Sequence, residues 1–384
     1  MAALDFESLY KRYKNFYYPS VRIYLGDQDP IQDKKMNLSI VDVDVQITSD
    51  LKASIASFSI AGMYDPDTGA FSVGKTKKYL ILGISVKILM GYSADMTEVF
   101  RGYVARIEFS YNDESPMDIN VKVTAMDVKG IMMANNSSKR LKASYYSDAV
   151  KEILNQSPYQ TLQNNEVITS IDVTDTPDKP PGGTQQDNSV DLRIEMVAES
   201  DYDFVCKAAK KFNYEFFSVG GNIVFRKAKA NTQELAEFFP SNIIITYDIS
   251  YDITGLPGEV KVRTLDIGKA SKIEVKKKNN GKFSLGGKAK PIVSGQSYVY
   301  IDSTINTQAD AETRANYLLE EMSYRLGSIR MTIVGIPEIV PGRFITLKGF
   351  GDALSNKYYI TDVHHTYTLG GKFLTEIEGK ASTL

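Results

Sequence analysis

The chain has 384 residues, with 45 Lys and Arg against 47 Asp and Glu and a net charge of -2. Single cores rarely grow past about 250 to 300 residues, so two or three are expected. The charge balance gives no general reason to bind nucleic acid or an anionic membrane. No apolar run approaches the roughly 20 residues of a membrane span. The opening Met-Ala-Ala-Leu-Asp-Phe-Glu has no basic stretch followed by an apolar core, so synthesis and folding in the cytoplasm are expected.

Near the N-terminus, Lys11, Arg12 and Lys14 are interleaved with Tyr10, Tyr13, Phe16, Tyr17 and Tyr18. This segment fits either an arm ordered by a neighbouring subunit or a helix folded onto its own domain. From Val41 the chain reads Val-Asp-Val-Asp-Val-Gln-Ile, which sends Val41, Val43, Val45 and Ile47 to one face of a strand. Alternation returns at Ala56, Phe58 and Ile60, at Ile84 to Met90, and at Ile119 to Ala125, with a turn signal at Asp65-Pro66-Asp67-Thr68-Gly69. Gly74-Lys75-Thr76 matches the end of a phosphate-binding loop, but a strand over Tyr79 to Leu82 is expected to follow where that motif needs a helix.

The middle differs in kind. A helix is predicted from Ser147 to Asn155, stopped by Pro158, and Thr174 to Ser189 is rich in Pro and Gly and reads as a mobile loop. Leu192, Ile194 and Met196 alternate as a strand. A helix opened by Ser200 carries Phe204, Val205, Ala208, Ala209 and Phe212 on one face, and a hairpin crosses Gly220-Gly221-Asn222. A further helix begins near Thr307 on the stripe Ala311, Ala315, Leu318 and Met322, with Gly327 as its expected C-cap.

One pattern occurs twice. Val86, Ile88, Met90, Gly91 and Tyr92 precede Tyr103, Val104, Ile107 and Tyr111; Phe344, Ile345, Leu347, Gly349 and Phe350 precede Tyr359, Ile360, Val363 and Tyr367. Tyr103 to Tyr111 maps onto Tyr359 to Tyr367 without a gap, 256 positions on, and the same offset pairs Val121 with Ile377 and Ala125 with Ala381. The expected fold is mainly β with an α+β insert: two related β-barrels, 1–130 with the N-terminal arm and 251–384 with one helix near 308–326, flanking a smaller α/β middle domain, 131–250.

Chemistry is sparse. His364 and His365 are the only histidines and, as neighbours on a strand, should face opposite ways, so a shared metal or nucleophile is not expected. Cys206, the only cysteine, reads as space filling. The acid pairs Asp42 with Asp44 and Glu376 with Glu378 read as solvated strand faces. Asn135-Asn136-Ser137-Ser138 is a glycosylation pattern without a secretory context. Gly349-Phe350-Gly351 lacks the helix of a dinucleotide fingerprint. No catalytic, cofactor-binding or metal residues are assigned, no cofactor is expected, and the 24 tyrosines suit contact surfaces.

The stretch from Glu199-Ser200-Asp201-Tyr202-Asp203-Phe204 through Lys207-Ala208-Ala209 to Tyr214-Glu215-Phe216-Phe217 resembles a segment of the late-control-protein-D family, the baseplate hubs of contractile phage tails. The hub part of type VI secretion VgrG spikes is similar. Pro341-Gly342-Arg343-Phe344-Ile345-Thr346-Leu347-Lys348-Gly349 and Lys357-Tyr358-Tyr359-Ile360-Thr361-Asp362-Val363-His364-His365 resemble that family's final barrel, and the helix from about Asp310 to Leu326 sits where the family carries one. The resemblance implies a non-enzymatic homotrimer, six barrels around a lumen, at the centre of the baseplate of a phage tail, tailocin or related particle. Its implied partners are the tail tube or a tube initiator, a spike and baseplate wedge proteins, with no sequence-specific nucleic-acid contact. Because the chain ends at Leu384, where VgrG proteins continue, the spike is expected to be a separate polypeptide. Contact is expected from strands Val41 to Ile47, Ile84 to Met90 and Phe344 to Leu347. A stand-alone carbohydrate- or receptor-binding β-protein is the alternative, and a cell-wall hydrolase a weaker one.

Overall fold

The computed structural model describes residues 3–383 except 31–36, 113, 115–119, 180–193, 241–242, 267–270, 280–285, 303–304, 306 and 353. The fold is mainly β with α+β insertions. Its largest feature is a sheet of twelve strands. Six come from the N-terminal part: β1 (Pro19–Leu25), β2 (Ser39–Thr48), β3 (Ile55–Ala61), β4 (Ser85–Tyr92), β5 (Asp95–Ser110) and β6 (Asn120–Met126). Six come from the C-terminal part: β7 (Glu234–Phe238), β8 (Ile244–Tyr251), β9 (Gly327–Val334), β10 (Phe344–Leu347), β11 (Lys357–Thr368) and β12 (Lys372–Ala381).

The two sets share one connectivity. Neighbours run β1-β4-β5-β6-β3-β2 in the first and β7-β10-β11-β12-β9-β8 in the second. Irregularities recur as well. Val104 and Arg106 flank a bulge against Ala125 and Thr124, and Ile360 and Asp362 flank one against Gly379 and Glu378. A second bulge lies between Ile40 and Asp42 on β2 and between Ile244 and Thr246 on β8. Bulges are positional features rather than defects, so two at matching places carry more weight than aliphatic alternation. One ladder differs: β1 meets β4 antiparallel, whereas β7 meets β10 parallel.

Register corrects the repeat at its end. Ile107 faces Val123 and Val363 faces Ile377, so the partner of Ile377 is Val123, not Val121, and Ala125 answers to Gly379, not Ala381. The second hairpin is two residues shorter. A two-residue slip keeps every side chain on its face, which is why alternation alone conceals it.

The two sets are continuous, because β2 pairs antiparallel with β11 from Asp42 opposite Thr368 to Thr48 opposite Asp362. They also share one apolar core, in which Val43, Phe58, Ile88 and Val123 join Met331, Ile345, Ile360 and Ile377. The N-terminal segment is a helix, Phe6–Arg12, capped by Asp5 and folded onto this core. Leu9 and Tyr13 are buried, Leu4 bridges to Ala236, and Phe6 meets Phe238 with ring centroids 5.1 Å apart. The arm therefore clasps the C-terminal set within its own chain.

The middle unit has its own core around Phe204, Phe216, Phe225 and Ile153. Ser200 and Asp203 form a capping box for the helix Asp201–Phe212, and Asn213, at φ 55°, ends it. Gly220 and Gly221, at φ 57° and 77°, provide the left-handed pair that a two-residue hairpin turn needs. The helix Tyr146–Leu154 is as expected, but Pro158 opens a second helix, Ser157–Asn164, since proline is tolerated in a first turn. Most of the expected mobile loop, and Leu192, lie outside the described residues; Thr176 and Asp178 at its start accept hydrogen bonds from the amides of Ser147 (2.9 Å) and Tyr146 (3.0 Å).

Other expectations are revised. The range 131–250 overlaps the large sheet, because β7 and β8 are hydrogen-bonded into it. The described residues of 259–323, placed in the second barrel by sequence, form an α+β insertion between β8 and β9. Strands Glu259–Asp266, Ser271–Lys278 and Ser297–Ile301 pack with the helix Gln308–Ser323 on a separate core of Val260, Val262, Ala311 and Ala315. Gly327 is the first residue of β9 rather than a C-cap, and Tyr324 ends that helix. Gly74-Lys75-Thr76 lies inside a short helix, Val73–Tyr79, capped by Ser72, so the strand expected at Tyr79 is absent; Lys75 donates to the Gly62 carbonyl (2.6 Å).

Candidate interaction surface

The groups that would carry chemistry are engaged structurally. His364 and His365 face opposite ways, as alternation requires. His364 Nε2 bonds Asp44 Oδ2 across the β2–β11 ladder (2.7 Å), and that carboxylate raises its pKa against a smaller effect of burial. His365 is fully buried, shares a hydrogen bond with Thr375 Oγ1 (2.9 Å), and is pushed down to about 3 by burial. Cys206 is buried, and burial pushes its thiol up, away from the reactive thiolate. Asp42 and Asp44 belong to β2, and Glu376 and Glu378 to β12, where Arg330 pairs with both glutamates. Among the described residues no group of three or more His, Cys, Asp or Glu is placed to hold a metal ion.

Buried and half-buried polar groups tie elements, and in places units, together instead. Tyr359 of β11 donates its hydroxyl to Glu215 of the middle hairpin, Arg226 Nε donates to the same carboxylate (2.6 Å), and Arg226 reaches the Gly342 carbonyl (2.8 Å). Asp201 accepts from Tyr159 (2.7 Å), Asn135 (2.6 Å) and Lys139 (3.1 Å). Asp127 accepts the Ser54 amide (3.0 Å) and lies 3.8 Å from Lys129, and burial lowers the pKa of that lysine. Glu338 gathers Arg12 (2.7 Å) and the hydroxyl of Tyr13, and so fixes the N-terminal helix to the C-terminal set. Hydrogen-bonded networks of this kind hold the elements they join rigidly together, and Glu215 and Tyr359 also line a cavity with Asn213 and Lys229.

The three strands expected to make contacts are interior. β2 lies between β3 and β11, β4 between β1 and β5, and β10 between β7 and β11, so their backbone groups are already committed. Exposed apolar side chains lie elsewhere: Tyr17 and Tyr18 after the N-terminal helix, Ile81 and Leu82 after the short helix, Phe109 and Tyr111 at the end of β5, Ile245 and Tyr247 on β8, and Ile301 on an insertion strand. Tyr17 and Tyr18 belong to the aromatic segment that the sequence singles out, whereas the exposed strand residues were missed because an edge strand and a central strand alternate alike. The signal that distinguishes them is what pairs with them, and that is long-range.

No curated protein matches the chain. Solved structures share its fold. A tail protein from Neisseria meningitidis MC58 superposes with a TM-score of 0.66 at 13% identity, covering 95% of this chain and 97% of that one. The 43 kDa tail protein of prophage MuSo2 from Shewanella oneidensis gives 0.66 at 10% identity, covering 95% and 98%. An E. coli component of the type VI secretion system, described as structurally similar to T4 bacteriophage tail proteins, gives 0.56 at 8% identity, covering 94% and 76%. At these identities the likeness establishes a common fold. Residues 31–368 match the family model of the Alg8 N-terminal domain, and the chain belongs to that family.

Proposed function

We propose that the chain is a structural baseplate hub of a contractile injection particle, a homotrimer with pseudo-six-fold symmetry that joins the tail tube to a separate central spike. The observation that carries this reading is the duplicated six-strand connectivity with both bulges repeated. Three chains with two equivalent units each supply six similar positions around an axis, so one ring presents six-fold and three-fold surfaces together. The units read as 1–130 and 251–384 fill those positions, with β7 and β8 counted in the second. The tail-protein fold and the rigid polar joints support a role of contact rather than catalysis. In this reading the protein is made in the bacterial cytoplasm and ends at the centre of an assembled baseplate, touching tube, spike and wedge proteins.

Native mass of the purified chain, alone and with its candidate spike, tests the proposal. A trimer in either condition is expected. A monomer in both at concentrations above about 10 μM, where a stable interface is populated, would overturn it, and a defined glycan ligand would then favour a stand-alone binding protein.

A further inference from the structure

The β2–β11 ladder joins the first unit to the second within one chain, and among the described residues both of its edges exist a second time with no strand added to them. The equivalent of β2 is β8, which among the described residues pairs only with β9. The equivalent of the β11 edge, residues 362–368, is 106–112 on and just beyond β5. There β4 has ended its pairing at Tyr103, and among the described residues only β6 is paired with the strand, on the other side.

Burial marks both edges as incomplete. Val43, Val45 and His365, at the covered ladder, are 1%, 0% and 0% exposed. Their counterparts by register are Tyr247, Ile249 and Phe109, of which Tyr247 is 44% and Phe109 51% exposed, and Tyr111, counterpart of Tyr367, is 58% exposed. β8 reads Ile-Ile-Thr-Tyr-Asp-Ile-Ser-Tyr, with no lysine and no proline, the residues that usually protect an edge from association. An apolar groove lined by Leu80, Ile81, Leu82, Ile107 and Phe109 runs beside the β5 edge, where the added strand would lie.

We propose that β8 of one copy of this chain adds antiparallel to β5 of the next, in the register of the internal ladder. Val43 opposite Tyr367 and Val45 opposite His365 become Tyr247 opposite Tyr111 and Ile249 opposite Phe109. The contact is heterologous, so it propagates from copy to copy, and the trimer of the hub reading requires that its rotation close after three. One substitution in the mapping is unfavourable: the Asp44–His364 hydrogen bond becomes Asp248 near Glu108, although Arg106 holds Glu108 (2.8 Å) and Arg330 stands opposite Asp248 on β9. The inference rests on the oligomeric hub reading and specifies which edges meet and in what register.

Two single variants in a Cys206→Ala background, Tyr247→Cys and Tyr111→Cys, test it. Opposed cross-strand residues have Cβ atoms about 4.5–5.5 Å apart, within reach of a disulfide after small adjustment. Mixed and oxidised, with the candidate spike if the ring needs it, the two proteins are expected to give a covalent dimer that neither gives alone. Tyr247→Cys mixed with Ile107→Cys, four residues out of register, should cross-link at least ~10-fold less. Phe109→Asp should raise the dissociation constant of the oligomer at least ~10-fold, while the monomer, which loses the edge contact of Phe109 with Phe71 (ring centroids 5.1 Å), still melts in one cooperative transition. A native trimer with no Tyr247–Tyr111 cross-link, or with the out-of-register pair linking equally well, overturns this edge pairing and leaves the hub reading standing. A monomer under every condition overturns both.

Discussion

Tyr103 and Tyr359 occupy the same position in the two copies, and both leave the large core to meet the middle unit, by different chemistry. Tyr103 is buried in the apolar cluster of Val128, Met132 and Phe204, and burial raises its pKa to about 12. Tyr359 donates to the Glu215 carboxylate, and burial followed by that charge raises its pKa. Tyr359→Phe is expected to cost about 1.5–3 kcal/mol, the range for a hydrogen bond to a charged group. Tyr103→Phe should cost clearly less. Urea unfolding of the two variants checks the contrast, and equal losses would contradict it.

Asp201 is buried with three donors around it, so its removal leaves the buried Tyr159 hydroxyl without its acceptor, whereas Lys139, partly exposed, keeps Gln156 (3.0 Å). Asp201→Ala should cost about 2–3 kcal/mol, the scale for leaving a buried donor unpaired. Ser200→Ala, which removes only the helix cap, should cost about 1 kcal/mol. Thermal melting of both variants should show this order, and a reversed order would locate the stability in the cap instead.

His365 makes stability depend on pH. It stays neutral in the folded chain down to about pH 3, whereas the unfolded chain takes up a proton below its ordinary value of 6.5. Between those values the unfolded state binds more protons, so stability falls as pH falls, by about 2 kcal/mol at pH 5. His364 acts in the opposite sense: its pKa is raised by Asp44, so it adds stability below 6.5 that is lost as pH rises through its folded pKa. Replacing His365 with Leu should flatten the acid limb of the stability profile, and His364→Gln should steepen it. Denaturant titrations from pH 4 to 8 distinguish these outcomes.

Val104 and Ile360, each beside a bulge, are 2% and 0% exposed in the shared core. An aspartate at either place buries a charge without a partner and should cost more than about 4 kcal/mol. Because the two units share one core, each variant should lose the structure of both in a single transition. Separate melting of the two units would contradict that continuity.

Local features were legible in the sequence. The Val43 to Ile47 alternation, the Ser200 cap, the Gly220-Gly221 turn and the Tyr103–Tyr359 repeat all rest on neighbours within a few residues or on comparison along the chain. The strands at 259–266 and 271–278 were missed because lysines 272, 276, 277 and 278 make them look solvated, and their apolar face is covered only by a helix some 40 residues on. The helix 73–79 buries little beyond Tyr79, so it leaves no apolar stripe to read. Glu215 gave no signal either: its partners Arg226 and Tyr359 come from another strand and another unit, and the pairing of β2 with β11 spans most of the chain.

The decorations on the two units differ in place as well as in size. The first carries a short helix between its third and fourth strands, and the second carries a whole α+β module between its second and third. Strand connectivity was thus preserved while bulk was added at turns, where an insertion disturbs no ladder. In a ring built from this chain, successive units would be alike in their strands and alternately lightly and heavily clad. A partner gripping the strands would meet six similar footholds, and one gripping the α+β module would meet three.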